Sequence, residues 1–135
     1  MKAMKMLALL LLCLMFLTAC GGGRVQAMPV IGTSELYTDA EIEDAMEIVL
    51  GCFKKEFDGC TLTRLEYDEP KVRDEMMGWA SQYDAGQAIV LLSDFDVDAS
   101  GGDGSLNPND TYRNWKWILT RTGNGKWVLQ TWGYG

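Results

Sequence analysis

TDAEIEDAMEIVLGCFKKEF, residues 38–57, is the stretch on which the fold turns. Thr38-Asp39-Ala40-Glu41 has the form of a capping box, in which a hydroxyl and a carboxylate three residues on satisfy each other's backbone amides at a helix start. Ile42, Ala45, Met46, Val49, Phe53 and Phe57 then recur at helical spacing and form one apolar stripe. Asp39, Glu41, Glu43, Asp44 and Glu47 crowd the start, and Lys54 and Lys55 sit near the end, each suiting the helix dipole. Asp58-Gly59 stops the helix. A stripe this apolar needs a sheet to cover it.

The sheet follows in the sequence. Thr61–Tyr67 reads as a strand. Pro70 opens a second, shorter helix with Val72, Met76, Trp79, Ala80 and Tyr83 on one face. Ala88–Asp98 is a strand whose first half is apolar throughout. In its second half Phe95 and Val97 point one way, and Asp94, Asp96 and Asp98 the other. Residues 99–110, rich in Gly, Ser, Asn and Asp, are a loop. Tyr112–Thr122 and Lys126–Trp132 are strands joined at Gly123-Asn124-Gly125, a tight hairpin turn. The order predicts an α+β domain over residues 35–135, with the long helix across a curved antiparallel sheet.

Ahead of this domain lies an export signal. Lys2 and Lys5 precede an apolar run from Met6 that ends Leu17-Thr18-Ala19-Cys20. The 14 residues from Met6 to Ala19 are fewer than a spanning helix needs. Leu17-Thr18-Ala19-Cys20 matches the bacterial lipobox, which implies removal of residues 1–19 and a diacylglyceryl group on the Cys20 sulfur. The expected location is therefore the outer face of a cell membrane, with the membrane as partner through the lipid. Residues 20–34, opening Gly21-Gly22-Gly23 and holding Pro29 and Gly32, read as a flexible tether.

Composition narrows the chemistry. The chain of 135 residues carries 12 Lys and Arg against 19 Asp and Glu; loss of Lys2 and Lys5 with the leader takes the net charge from −7 to −9. Nucleic acid is a poor partner for such a chain. With no His, Ser-His-Asp and Cys-His catalysis and the usual His-containing zinc sites are excluded. Of the four Cys, Cys52 and Cys60 belong to the folded part, where they form either a disulfide or two small buried thiols.

The carboxyl half resembles a known group. Leu91-Leu92-Ser93-Asp94-Phe95-Asp96-Val97-Asp98, Gly101-Gly102-Asp103-Gly104-Ser105-Leu106-Asn107-Pro108-Asn109, Trp115-Lys116-Trp117-Ile118-Leu119 and Gly125-Lys126-Trp127-Val128-Leu129 look like segments of uncharacterised lipoproteins of Gram-positive bacteria. The likeness extends back to Tyr37-Thr38. That group is similar to the nuclear transport factor 2-like superfamily, in which a long helix lies in a cone made with a bent sheet. The resemblance implies a cone-like fold and an envelope location; it also implies a homodimer through the sheets, as cone folds often form.

Two constellations could carry function. Asp94-x-Asp96-x-Asp98 offers oxygen ligands at alternate positions, but Ala99 and Ser105 stand where a calcium loop requires Gly and a bidentate Glu, so no metal or other cofactor is expected. Asp94 or Asp96 could instead serve as a pocket base in an isomerase-like cone, with Tyr67 or Tyr112 donating to an oxyanion. Trp115 and Trp117, with Trp127, Trp132, Tyr112 and Tyr134, could line a ligand groove or simply fill the core. The leading expectation is a non-catalytic module that binds an envelope protein or peptide. The alternative is a small-molecule or isomerase-like cone domain.

Overall fold

The computed structural model describes residues 22–134; the expected export signal and the expected lipidation site at Cys20 lie outside them. Strands β1 (Arg24–Val25) and β2 (Val30–Ile31) lead into helix α1 (Asp39–Glu56). Strand β3 (Cys60–Tyr67), helix α2 (Glu69–Gln82) and strands β4 (Gln87–Val97), β5 (Thr111–Arg121) and β6 (Val128–Gly133) follow. The fold is α+β. One six-stranded sheet runs β1-β3-β4-β5-β6, with β2 also on β3.

α1 forms for the reasons its sequence gives. The Thr38 hydroxyl accepts from the Glu41 amide at 3.2 Å, and Glu41 accepts from the Thr38 amide at 3.1 Å. Ile42, Ala45, Met46, Val49 and Phe53 are all buried. Phe57 caps the helix, and Gly59, at φ +72°, turns the chain into β3.

The sheet is mixed, not antiparallel, and the reason lies in the segment expected to be a tether. Arg24 and Val25 pair parallel with Thr61 and Leu62, and Val30 and Ile31 with Glu66 and Tyr67. The Gln26 and Ala27 amides both donate to Leu62 O between them. Parallel neighbours need a crossover, and α1 supplies it. The Gln26, Ala27 and Gly32 amides thus donate to the β3 edge, which Gly and Pro content alone does not reveal.

β4 is the central strand. Ile89, Leu91, Ser93 and Phe95 face α1, where Phe53 meets Phe95 at 5.8 Å and Trp117 at 6.4 Å between ring centroids. Val90 and Leu92 point to the opposite face, which α2 covers: Lys116, beside Leu92 in register, reaches Glu75 of α2 at 2.8 Å. Both faces are therefore buried at the Ala88–Leu92 end of β4, which explains its continuous apolar run.

Register shifts interrupt the sheet at three places, one of them between Leu62 and Arg64 in β3. In β5 an extra residue lies between the partners of Ser93 and Phe95, and Asn114 takes φ +55° there. The shift returns Tyr112 to the α1 face, where it stacks on Phe95 at 5.1 Å. In β6 the register slips at Gln130. The last hairpin is wider than a two-residue turn: Thr120 pairs with Val128, and the intervening loop carries Trp127 inward.

Candidate functional site

The sequence candidates do not converge. Trp117 is fully buried, with its indole N–H donating to the Ser93 hydroxyl at 2.8 Å. It is a core residue, out of reach of a ligand. Asp94 and Asp96 lie on the other face of the sheet. They share that face with Val90 and Leu92, as the alternation predicts, but α2 does not cover their end, so no pocket encloses them.

Asp94 is also fully engaged. Arg64 grips it with Nε to Oδ2 at 2.9 Å and Nη2 to Oδ1 at 2.8 Å, and the Asn114 amide donates to Oδ1 at 2.9 Å. The Arg64 hydrogen bonds hold its carboxyl below the usual aspartate range. A general base needs the opposite shift. Asp96 is exposed and accepts from the Thr111 hydroxyl at 2.7 Å. The two tyrosines considered as oxyanion donors have other duties. Tyr67 donates to Glu69 at 2.8 Å, and the Tyr112 hydroxyl accepts from the Asn107 amide at 3.0 Å.

Among the described residues the two cysteines, Cys52 and Cys60, are both free. Cys52 sits half-buried on α1 and Cys60 is buried at the start of β3. Burial, with Asp98, Asp103 and Asp58 nearby, pushes the Cys60 thiol up to about 11, so it is an inert thiol at neutral pH. Among the described residues no three His, Cys, Asp or Glu are grouped to hold a metal.

The space where a cone would keep its pocket is filled. Phe57 stacks on Phe53 at 4.9 Å and lies 5.2 Å from Trp117. What remains open lies on the surface. One groove of about 370 Å³ opens at the carboxyl end of α1. Phe57, Leu106, Trp115 and Trp132 form its apolar wall, and Glu56, Asp58 and Asp103 supply acids; none of its lining residues is basic. Trp115 is set edge-on against Phe95 (5.3 Å) and Tyr134 (5.2 Å), and its buried indole N–H has no partner among the described residues. Trp132 and Tyr134 stand 42% and 63% exposed beside it.

The loop that bounds this groove is self-supporting. Asp98 accepts from the Ser100 amide at 2.9 Å and Asp103 from the Ser105 amide at 3.0 Å. The Ser100 and Ser105 hydroxyls also donate to these carboxylates, and together with the amides, the hydroxyls foremost, they lower both carboxyls. A second groove, about 500 Å³, lies at the opposite end, between α2 and the start of β4, and is lined by Tyr37, Met76, Met77, Ala80 and Ala88.

One buried acid escapes sequence reading. Glu69, 3% exposed, accepts from the Ser34 hydroxyl at 2.6 Å, the Glu35 amide at 2.8 Å, the Leu36 amide at 3.3 Å and the Tyr67 hydroxyl. Burial alone would raise its pKa, but these donors outweigh it and hold the carboxyl at about 2. With its oxygens so occupied, Glu69 is a latch on the segment before α1. Glu69-Pro70 signals only a helix start, so nothing local announces the role.

Arg121 completes a comparable structural cluster. Its guanidinium lies 4.3 Å from the Trp127 ring centroid, pairs with Glu41 and donates to Gln87 at 2.7 Å. No protein family, curated protein or solved structure matches this chain.

Proposed function

We propose that this chain is a lipid-anchored extracytoplasmic domain, held on the membrane through Cys20, that binds a component of the cell envelope without chemistry. The observation that carries the non-catalytic part is the filled interior between α1 and the sheet, where Phe53, Phe57, Phe95 and Trp117 occupy the place of a pocket. Leu17-Thr18-Ala19-Cys20 carries the anchoring part. The arrangement of α1 over a bent sheet supports a distant kinship with the nuclear transport factor 2-like cone. The parallel β1 and β2 and the covering of both faces are departures from it. The isomerase-like alternative loses its support with Asp94 locked to Arg64 and Asp96 on an open face.

Mass analysis of the protein from its native membrane tests the reading. The expected chain begins at Cys20 with a diacylglyceryl group on sulfur, and Cys20→Ala releases the domain unmodified. An unlipidated chain that keeps residues 1–19 overturns the anchor. Turnover of any substrate that disappears in Asp94→Asn or Asp96→Asn overturns the non-catalytic assignment.

A further inference from the structure

We propose that the domain is seated directly on the lipid surface by the end that carries the aromatic groove, with Trp132 and Tyr134 at headgroup depth; this rests on lipidation of Cys20. The argument begins with reach. Gly22 is in contact with the last turn of α1: it sits at φ +112°, and a Cβ there would lie 2.1 Å from Lys54 O. The Gly23 amide donates to Lys54 O at 3.0 Å, and a Cβ on Gly23 would meet Phe53 O at 2.4 Å and the Phe53 ring at 2.7 Å. Arg24 then enters the sheet against Thr61. The chain is therefore pinned to the folded domain from its second residue after Cys20.

Consecutive Cα atoms are 3.8 Å apart, so whatever path Gly21 takes, the Cys20 Cα lies within about 8 Å of Gly22. The headgroup layer on one side of a bilayer is about 5–7 Å thick. Acyl chains on Cys20 that enter the hydrocarbon thus bring the end of α1 down to the headgroups. No slack exists to hold the domain away.

The composition of that end agrees independently. One turn beyond Lys54, Phe57 meets Trp132 at 5.9 Å. Tyr134 stacks on Tyr112 at 6.0 Å. Trp132 and Tyr134 are the exposed aromatics of this end, and Trp and Tyr are the side chains that favour the headgroup region, where one edge of the ring is dry and the other wet. The charges at this end are mixed, with Arg24, Lys54 and Lys55 against Glu56, Asp58 and Asp103. The contact is therefore aromatic in kind and does not depend on anionic lipid.

The test uses the full chain, lipidated and reconstituted in phosphatidylcholine vesicles whose acyl chains are brominated near the headgroup, with tryptophan emission as readout. Emission is expected to fall relative to vesicles without bromine. The fall is expected to be lost in Trp132→Phe. It is expected to be lost equally when a Gly/Ser spacer of about 12 residues, with a reach of about 20 Å, separates Gly21 from Gly22. A lipidated chain that floats with the vesicles but emits equally with and without bromine overturns the seating, as does quenching that survives both changes. A chain that neither floats nor carries the lipid mass overturns the anchor itself, so the two failures are told apart.

Discussion

Glu69 shows how much a single side chain can organise without doing chemistry. Its carboxylate gathers four donors from two separate segments and fixes Ser34–Leu36 just ahead of α1. Hydrogen bonds to a charged group are worth about 1.5–3 kcal/mol, so Glu69→Gln is expected to lower unfolding free energy by about that amount in urea titration. The pH dependence has a definite sign. An unfolded Glu titrates at 4.5, and the folded Glu69 at about 2. The unfolded state therefore takes up its proton first on acidification, and the stabilisation, full above pH 4.5, drains away as pH falls toward 2. Glu69→Gln should flatten that part of the acid limb, and an unchanged slope would refute the latch. At this scale the sequence spoke unevenly. Alternation placed Asp94 and Asp96 on one face correctly, yet what decides the use of Asp94 is Arg64, 30 residues earlier in the chain. Parity grouped Trp115, Trp117 and Leu119 correctly, but not which of the two Trp would keep a solvent-facing edge.

At the level of elements, helices were legible and the sheet only partly so. The capping box, apolar stripe and stop at Asp58-Gly59 delimit α1 closely, because each depends on residues within one or two turns. The parallel edge was not legible. β1 and β2 are two residues each, and their pairing depends on β3, more than thirty positions away. The same holds for the slip at Asn114, which no turn motif announces. Gly22 and Gly23 read as flexible, but they are glycine because the chain crosses the end of α1 at contact distance. Gly23→Val should detach β1 at a cost of about 1–3 kcal/mol, the usual cost of overpacking. Hydrogen exchange would show it as lost protection at the Gln26 and Ala27 amides, with the β4 and β5 amides still protected. Retained protection at Ala27 would mean that the crossing tolerates a side chain.

For the molecule as a whole, stability and surface are cleanly divided. Phe53 is fully buried between α1 and the sheet, so Phe53→Ala is expected to cost about 3–5 kcal/mol and to lower the thermal midpoint sharply. Trp132, 42% exposed, should tolerate Trp132→Ala at a cost of no more than about 1 kcal/mol. Calorimetry on the two variants checks the division, and comparable losses would mean that Trp132 belongs to the core. The α+β class followed from element order alone. The filled interior did not, because it depends on which aromatic rings meet across α1, β4 and β5.

Trp127 carries one more consequence, in the order of events during folding. Its indole N–H donates to Glu41 O, 86 residues earlier, and Arg121 closes on the same first turn of α1. The apolar side of α1 also waits for Trp117 from the same late stretch. β3 and β4 cover part of the helix, but its cover is completed only by β5 and β6. Contacts of such sequence separation are slow to close, so a chain still emerging has no complete core in which to lodge. A polypeptide whose core cannot close until β5 and β6 have been made stays pliable through most of its own synthesis.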